Sequence, residues 1–178
     1  MPARKFKSVP TIAVSNDPII NHLAESILFK EIKDNKEALA YVAREMQEAK
    51  YAKGTAIFKT GDVDDRMFCL VSGSAEVTKT TLDGDRFQVA ILHAEKHVIF
   101  GEGALIDVDA RSATIKALTD CTCLVWNREK FQKFCADQPQ WALPVLHQIA
   151  YQMMDRLRRL NGDFSLLYNA LVKQIRGN

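Results

Sequence analysis

Residues 100–114 read FGEGALIDVDARSAT, and this stretch decides both the fold and the chemistry. Gly101 and Gly103 flank the carboxylate of Glu102, and Arg111 follows after a short loop. Glycine lets backbone N–H groups approach a ligand closely, and a guanidinium is a planar, permanently charged partner for phosphate. An ionised carboxylate only accepts hydrogen bonds, so Glu102 suits a hydroxyl group. The segment therefore predicts a site for a sugar phosphate.

Short runs of β-forming residues alternate with turn signals on both sides of this segment. Asp83-Gly84 predicts a tight hairpin, because a primed turn needs positive φ. Phe87, Val89 and Ile91 alternate with polar or small residues, as in a half-buried strand. Many short strands at this spacing predict a sandwich, jelly roll or barrel. The predicted strands are 55–59, 67–72, 75–80, 86–92, 112–118 and 121–126.

Helical patterns precede and follow the β region. Pro18 suits a first helical position, a second helix begins near Asn35, Asn127 can cap a third, and a long apolar stripe follows Pro139. We therefore predict an α+β fold, a helix-flanked antiparallel β jelly roll with a long C-terminal helix. The predicted divisions are a flexible tail at 1–15, N-terminal helices at 16–50, the jelly roll at 51–127 and C-terminal helices at 128–178.

Composition excludes several classes of protein. The chain has 178 residues, of which 47% are apolar and 26% charged, and these values are near the average of globular domains. A net charge of +2 provides no basic footprint for nucleic acid. No run approaches the roughly 18 apolar residues of a membrane helix, and no apolar signal core follows the basic N-terminus. The four cysteines lack zinc or redox spacing and fit small buried residues. We therefore expect a cytoplasmic protein.

Residues 100–114 resemble the phosphate-binding cassette of cyclic-nucleotide-binding domains, the module of protein kinase A regulatory subunits, cyclic-nucleotide-gated channels and catabolite-activator-type regulators. The family pattern, F-G-E-x-A-L, a short loop and R-[AST]-A-[TS], is matched without an insertion between Glu102 and Arg111. The resemblance extends over roughly residues 50–160. A match of this length within a β region is far more specific than a lone glycine-rich fragment.

The resemblance implies a role for each matched residue. Glu102 would accept a hydrogen bond from the ribose 2′-hydroxyl, and Arg111 would pair with the cyclic phosphate. The amides of Gly103 and Ala104 would help to hold that phosphate, and the Ser112 hydroxyl would lie near the phosphate or a guanine amino group. The implied ligand-binding residues are Phe100, Gly101, Glu102, Gly103, Ala104, Arg111, Ser112 and Ala113.

The chain departs from the usual family pattern at four positions around this segment. His97 stands where the family usually has glycine, and Ala110 where it usually has proline. Ala94 replaces a common leucine, and Val108 replaces a frequent glycine. None of these changes removes a side chain that contacts the ligand in the family.

The implied function is that of a receptor for a 3′,5′-cyclic purine nucleotide, cyclic AMP first and cyclic GMP second. In the family, the C-terminal helix moves as a lid over the base. We expect no enzyme activity, no cofactor and no metal, because no nucleophile–base pair or metal-ligand set is present. Two alternatives stay open. One is an adaptor of the same fold whose nucleotide site is unused. The other is a cupin-type metal-binding enzyme, although His93 and His97 lack its His-x-His spacing.

The C-terminal stripe predicts a partner. It continues beyond the β region, and an exposed apolar strip usually marks an interaction surface. We therefore expect a homodimer joined from about Leu157 to Ile175, with a bend at Gly162. Residues 161–178 are too few for a helix-turn-helix, so we expect no DNA binding, and the signal would pass to an unidentified protein. A basic cluster on the same helix is either a solvated face or a contact with base, partner or nucleic acid: Arg156, Arg158 and Arg159.

Overall fold

The structure is a computed structural model that describes residues 18–81 and 83–176, so the predicted tail at 1–15 lies outside the described residues. Two four-stranded antiparallel sheets pack face to face, and helices cover the outer face of one of them. This arrangement is the predicted helix-flanked jelly roll. The strands are β1 (Gln47–Tyr51), β2 (Ala56–Phe58), β3 (Arg66–Ser72), β4 (Ser74–Thr80), β5 (Arg86–His93), β6 (Ile99–Phe100), β7 (Thr114–Ala117) and β8 (Cys121–Asn127).

The helices begin where the sequence supplies caps. The side chains of Asn35 and Asn127 each accept a hydrogen bond from the backbone N–H three residues later, at 3.0 Å. Pro139 starts the longest helix, where its missing N–H needs no partner. None of the helices within the described ranges is both long and apolar enough to cross a bilayer. The α-helices are α1 (Pro18–Glu25), α2 (Lys36–Glu45), α3 (Arg128–Asp137) and α4 (Pro139–Ile175), and a 3₁₀ helix spans Ile27–Ile32.

Strand order explains why the core has two parts. The sheets run β1-β8-β3-β6 and β2-β7-β4-β5. In β3, Phe68 and Leu70 face the second sheet, whereas Met67 and Cys69 face the helices. All four are buried, because both faces of this sheet are covered. Cys121 and Cys123 lie two residues apart in β8, so they share one face of the strand, and both belong to the apolar layer between the sheets.

The turns around the second sheet follow the glycine signals. Gly84 lies in the β4–β5 turn with φ +92°, as the Asp83-Gly84 pair predicts. Gly73 joins β3 to β4 with φ +87°, and a Cβ atom there would lie 2.3 Å from the carbonyl oxygen of Asp120. A side chain at position 73 would therefore be both strained and obstructed.

Three sequence-based expectations differ from the structure. The predicted N-terminal helices at 16–50 end at Glu45, because Gln47–Tyr51 pairs with β8 as a strand despite its charged, helix-like composition. The predicted half-buried strand β5 has three exposed apolar residues, since β5 is an edge strand. Gly162 does not interrupt α4, which is one helix of 37 residues, because one glycine costs only about 1 kcal/mol relative to alanine. The exposed residues of β5 are Phe87, Val89 and Ile91.

Candidate functional site

Residues 100–114 border a cleft between the second sheet and α4. Phe100 ends β6, a 3₁₀ turn spans Glu102–Leu105, and a loop leads through Arg111 to the start of β7. The cleft has a volume of about 650 Å³ and is also lined by residues of β4, β5 and α4. All of the ligand-binding residues implied by the sequence lie on its wall.

Arg111 lies almost completely buried at the base of this cleft, with 7% of its surface exposed. Its guanidinium carbon stands 4.3 Å from the centroid of the Phe58 ring, a cation–π distance. Nη1 donates to the carbonyl of Gly101 at 3.4 Å, and Nη2 donates to the carbonyl of Arg66. Nε is buried and makes no hydrogen bond among the described residues. The guanidinium therefore retains donor capacity for a ligand.

A carboxylate that is also bound by a second arginine partly compensates this buried charge. Nη2 of Arg111 lies 3.5 Å from Oδ2 of Asp64, and Asp64 in turn accepts two hydrogen bonds from the Arg66 guanidinium, at 2.7 and 2.8 Å. Burial raises the pKa of Asp64, but the hydrogen bonds and charge of Arg66 and the charge of Arg111 outweigh it, so the pKa is lowered overall. Two cations share one carboxylate here, which leaves one net positive charge beneath the cleft.

Glu102 lies at the other side of the same turn and pairs with the C-terminal helix. Its carboxylate is buried, with 4% of the side chain exposed, and Oε1 accepts a hydrogen bond from Nη2 of Arg156 at 2.8 Å. The Arg156 side chain is 66% exposed and lies along the mouth of the cleft. A carboxylate offers about four lone-pair sites. Glu102 can therefore accept a hydroxyl while α4 remains attached.

Glycine at position 101 allows the turn to close over Arg111. Gly101 has φ +75°, and a Cβ atom there would lie 2.7 Å from Nη1 of Arg111. At position 103, a Cβ atom would lie 3.4 Å from the methyl carbon of Met153 in α4. The Ala104 N–H donates to the Gly101 carbonyl at 3.1 Å, so this amide already has a partner within the turn. Ser112 is exposed at the rim.

Comparison with known proteins assigns this arrangement to a family. A sequence model described as the cyclic nucleotide-binding domain matches residues 48–138. The chain belongs to this family. The matched region includes the whole cleft wall except α4, and the cyclic nucleotide-binding domain of this chain thus has both its anionic and its cationic group buried in the expected segment.

Proteins similar to this chain match it over only part of their own length. The cyclic AMP receptor protein of Thermus thermophilus is 30% identical over 130 residues, which are 73% of this chain and 56% of that protein. Human cGMP-dependent protein kinase 2 is 35% identical over 114 residues, 64% of this chain and 15% of the kinase. The crystal structure of the Thermus thermophilus catabolite activator protein matches with a TM-score of 0.72 and 28% identity, covering 80% of this chain and 63% of that one. The chain spans little more than half of the first relative.

Sequence reasoning missed the residues that reach the site from outside the cassette. Asp64 and Arg66 precede and begin β3, and they look like an exposed turn in the sequence, because nothing local shows that Arg111 packs beside them. Met153 and Leu160 of α4 line the cleft, although their spacing indicates only an apolar helix face. Arg156 belongs to the basic cluster for which a base contact is one of the open readings.

The four histidines lie in separate elements: His22 in α1, His93 at the end of β5, His97 between β5 and β6, and His147 in α4. No group of three or more His, Cys, Asp or Glu side chains in residues 18–81 and 83–176 is arranged to hold a metal ion. The strongly coordinating thiols of Cys69 and Cys123 are buried, and burial raises the pKa of each to about 12.

Replacing Asp64 by Asn should destabilise the domain in a pH-dependent way. At neutral pH the variant leaves Arg66 and Arg111 without their carboxylate, and we expect a loss of about 3 kcal/mol in the free energy of unfolding. Because the folded pKa of Asp64 lies below its usual 3.8, its stabilisation is present above that value and disappears as pH falls through the lowered pKa.

Urea unfolding at pH 7 and pH 3 measures this difference. The gap between Asp64→Asn and the unmodified chain should shrink at pH 3. Asp163→Asn, on the exposed part of α4, is the control and should match the unmodified chain at both pH values. A gap that is equally large at pH 3 would show that Asp64 acts through packing rather than charge.

Proposed function

We propose that this chain is a receptor for a 3′,5′-cyclic purine nucleotide, with cyclic AMP as the preferred ligand and cyclic GMP as the second. The proposal rests on one observation. The side chains of Glu102 and Arg111 are oppositely charged, both are buried, and both line the same cleft. A cyclic nucleotide needs a cation for its phosphate and an acceptor for its 2′-hydroxyl, and these side chains supply both.

The charge balance fits a ligand with a single negative charge. Arg66 and Arg111 share the one charge of Asp64, and Glu102 is neutralised by Arg156. Among these groups the cations outnumber the carboxylates by one, and the most buried cation is Arg111. Lys79, Asp107 and Asp109 also line the cleft, and the two aspartates are exposed to solvent. The buried guanidinium supports an anionic group such as the singly charged cyclic phosphate, because electrostatic interactions are stronger in a buried setting than in water.

The remaining wall of the cleft fits a purine base. Val77 and Leu92 from the second sheet face Met153 and Leu160 of α4 across it. Flat apolar walls of this kind bind an aromatic ring, and a few polar groups fix its orientation. Preference for cyclic AMP is supported by the cyclic AMP receptor protein, whose match covers more of this chain than the cyclic GMP-dependent kinase does.

The C-terminal helix is positioned to transmit ligand binding. Within one helix, Ala142 and Ile149 are buried against the domain, Arg156 bonds to Glu102, and the residues beyond Leu157 are exposed. A ligand that bonds Glu102 and fills the space beside Met153 changes the interactions of α4. It can shift the position of α4 only by its difference in affinity for the two states. We propose that this shift is the signal, read by an unidentified protein in the cytoplasm.

A binding role is favoured over the two alternatives. We propose no catalytic role for this site, because its buried charged groups are arginines paired with carboxylates rather than a nucleophile with its base. An adaptor that binds no nucleotide would gain nothing from burying the Arg111 guanidinium, because burying a charge costs free energy. The intact pair of Glu102 and Arg111 thus supports a functioning receptor.

We further propose that two copies associate through the exposed part of α4. Its apolar residues recur at alternating spacings of four and three, the repeat of a coiled-coil seam. These side chains are between about half and three-quarters exposed, which is a large apolar surface for an isolated helix. The seam consists of Leu157, Leu160, Phe164, Leu167 and Leu171.

Arg111→Ala should abolish most of the binding. We expect cyclic AMP to bind the unmodified chain with micromolar or tighter affinity, about −8 kcal/mol, and the variant to bind about 100-fold more weakly, because hydrogen bonds to a charged group contribute about 1.5–3 kcal/mol each. Calorimetric titration measures this. Arg111→Lys keeps the charge and should lose less, and Arg159→Ala, on the same helix as Arg156, should bind normally. No binding at millimolar cyclic nucleotide in the unmodified chain would refute the receptor.

Glu102→Ala should change discrimination between ribose and deoxyribose. The unmodified chain should bind 2′-deoxy-cyclic AMP at least about 10-fold more weakly than cyclic AMP, since the acceptor loses its donor. In the variant the two ligands should bind equally, because neither meets a carboxylate. An equal penalty for the deoxy ligand in both proteins would remove Glu102 from the sugar site.

Introducing two glutamates into the seam should dissociate the proposed dimer into single chains. We expect light scattering at about 100 µM, well above the micromolar range of modest interfaces, to give the mass of two chains for the unmodified protein. The double variant Phe164→Glu, Leu171→Glu should give the mass of one chain. Ser165→Glu, exposed on the same helix outside the seam, should remain dimeric. A monomeric unmodified chain would contradict the proposed association.

A further inference from the structure

Two histidines from distant parts of the chain meet beside the turn that leads into residues 100–114. His22 lies in α1, and His97 lies between β5 and β6. Their Nδ1 atoms are 3.0 Å apart, and the ring centroids are separated by 4.4 Å. Both side chains are half-buried, and Nε2 of His22 is buried without a hydrogen bond to any described residue. The contact joins α1 to the turn that leads into residues 100–114.

The backbone at His97 is unusual for a histidine. Its φ is +49°, and it is the one non-glycine residue in 18–81 and 83–176 with positive φ. This left-handed conformation favours glycine, which is the residue that the family usually has at this position. The chain therefore carries a side chain where the backbone disfavours one. This side chain makes its hydrogen-bonding and ring contact with His22.

The strand that follows His97, β6, is short and is held by its pairing with β3. β6 has only two residues, which pair with Phe68 and Cys69 of β3, and Gly101 follows it directly. Val98, between His97 and β6, accepts a hydrogen bond from the Leu70 N–H at 3.0 Å. His97 is therefore separated from residues 100–114 only by Val98 and Ile99, while Phe100 itself is buried and stacked on Phe68.

The number of protons on the two rings decides whether the contact can exist. Two neutral imidazoles form one hydrogen bond, in which one Nδ1–H donates to the lone pair of the other Nδ1. One added proton can be accommodated, since an imidazolium still donates to a neutral ring. Two added protons place two donors and two positive charges 3.0 Å apart, and the rings must separate. The geometry of the contact therefore accommodates one added proton but not two.

Few charged groups act on this pair. Burial and the charge of His97 lower the pKa of His22, while an interaction with the backbone of Leu70 acts in the other direction. The elements packed against α1 are the 3₁₀ helix Ile27–Ile32, α2 and β3, and none of their charged side chains contributes to this shift. Cys69 of β3 is neutral, with a pKa of about 12. Glu25 on α1 and the neighbours of His97, Glu95 and Lys96, are exposed. No carboxylate of the described residues contributes to the pKa shift of His22.

We propose that the His22–His97 pair is a proton-sensitive clasp, which holds α1 to the turn before residues 100–114 at neutral pH and releases it in mild acid. Release weakens the support of β6 and lowers affinity for the cyclic nucleotide. The effect on affinity rests on the proposed function, whereas the release of α1 does not. The direction follows from linkage: a group that binds protons more weakly in the closed state favours opening as pH falls below the ordinary histidine value.

Hydrogen exchange of the ligand-free protein tests the release directly. Protection factors of the α1 amides should fall by about 5-fold or more between pH 7.5 and 5.5 in the unmodified chain, across the usual histidine pKa of about 6.5. His97→Gly restores the family residue and removes the pair, so its α1 protection should be independent of pH. His22→Asn is the second variant, because it leaves residue 97 unchanged. His147→Gln, an exposed histidine on α4, is the control and should respond like the unmodified chain.

Titration with cyclic AMP at the same two pH values tests the consequence for binding. Affinity should fall at pH 5.5 in the unmodified chain and in His147→Gln, and stay constant in His97→Gly and His22→Asn. A protection loss that persists in both pair variants, or that is missing from the unmodified chain, overturns the clasp. If cyclic AMP binds at neither pH while the protection change is present and depends on the pair, the clasp stands and the proposed receptor function fails.

Discussion

The buried charge of Arg111 is the constraint on which the rest of the site depends. A guanidinium at 7% exposure is costly unless it is paired and hydrogen-bonded. The domain meets this demand with the Phe58 ring beneath it, Asp64 beside it and two backbone carbonyls around it. These four partners come from three segments of the chain. The position of one side chain therefore fixes β2, the start of β3 and the turn after β6 relative to one another.

This demand also accounts for local sequence choices. Gly101 adopts φ +75° and leaves room for the guanidinium, which a Cβ atom would approach to 2.7 Å. Arg66 supplies a second cation, which holds Asp64 with two hydrogen bonds and keeps its pKa low. Removing Asp64 would leave both arginines without the carboxylate that they share. The cassette therefore belongs to a network of ion pairs and hydrogen bonds that also includes Asp64 and Arg66.

The parts of the fold that were predictable are those with local causes. Caps at Asn35 and Asn127 and the Asp83-Gly84 turn act within a few residues, so the helix starts and the β4–β5 hairpin follow from the sequence. The cassette residues were predictable because one continuous segment supplies them. Asp64 and Arg66 were not, because their role depends on a contact 45 residues along the chain. Strand β1 was hidden for a similar reason, since its charged sequence becomes a strand only through pairing with β8.

The unbroken length of α4 has a mechanical consequence. Arg156 bonds to the site, and Ile175 ends the same helix 19 residues later. At 1.5 Å per residue, the free arm is about 28 Å long. A tilt of about 10° at the site would then move the far end by about 5 Å, roughly one helical turn. In the proposed receptor, a stiff arm would amplify a small rearrangement around Glu102 into a displacement that a neighbouring molecule could detect, whereas a hinge at Gly162 would abolish this amplification.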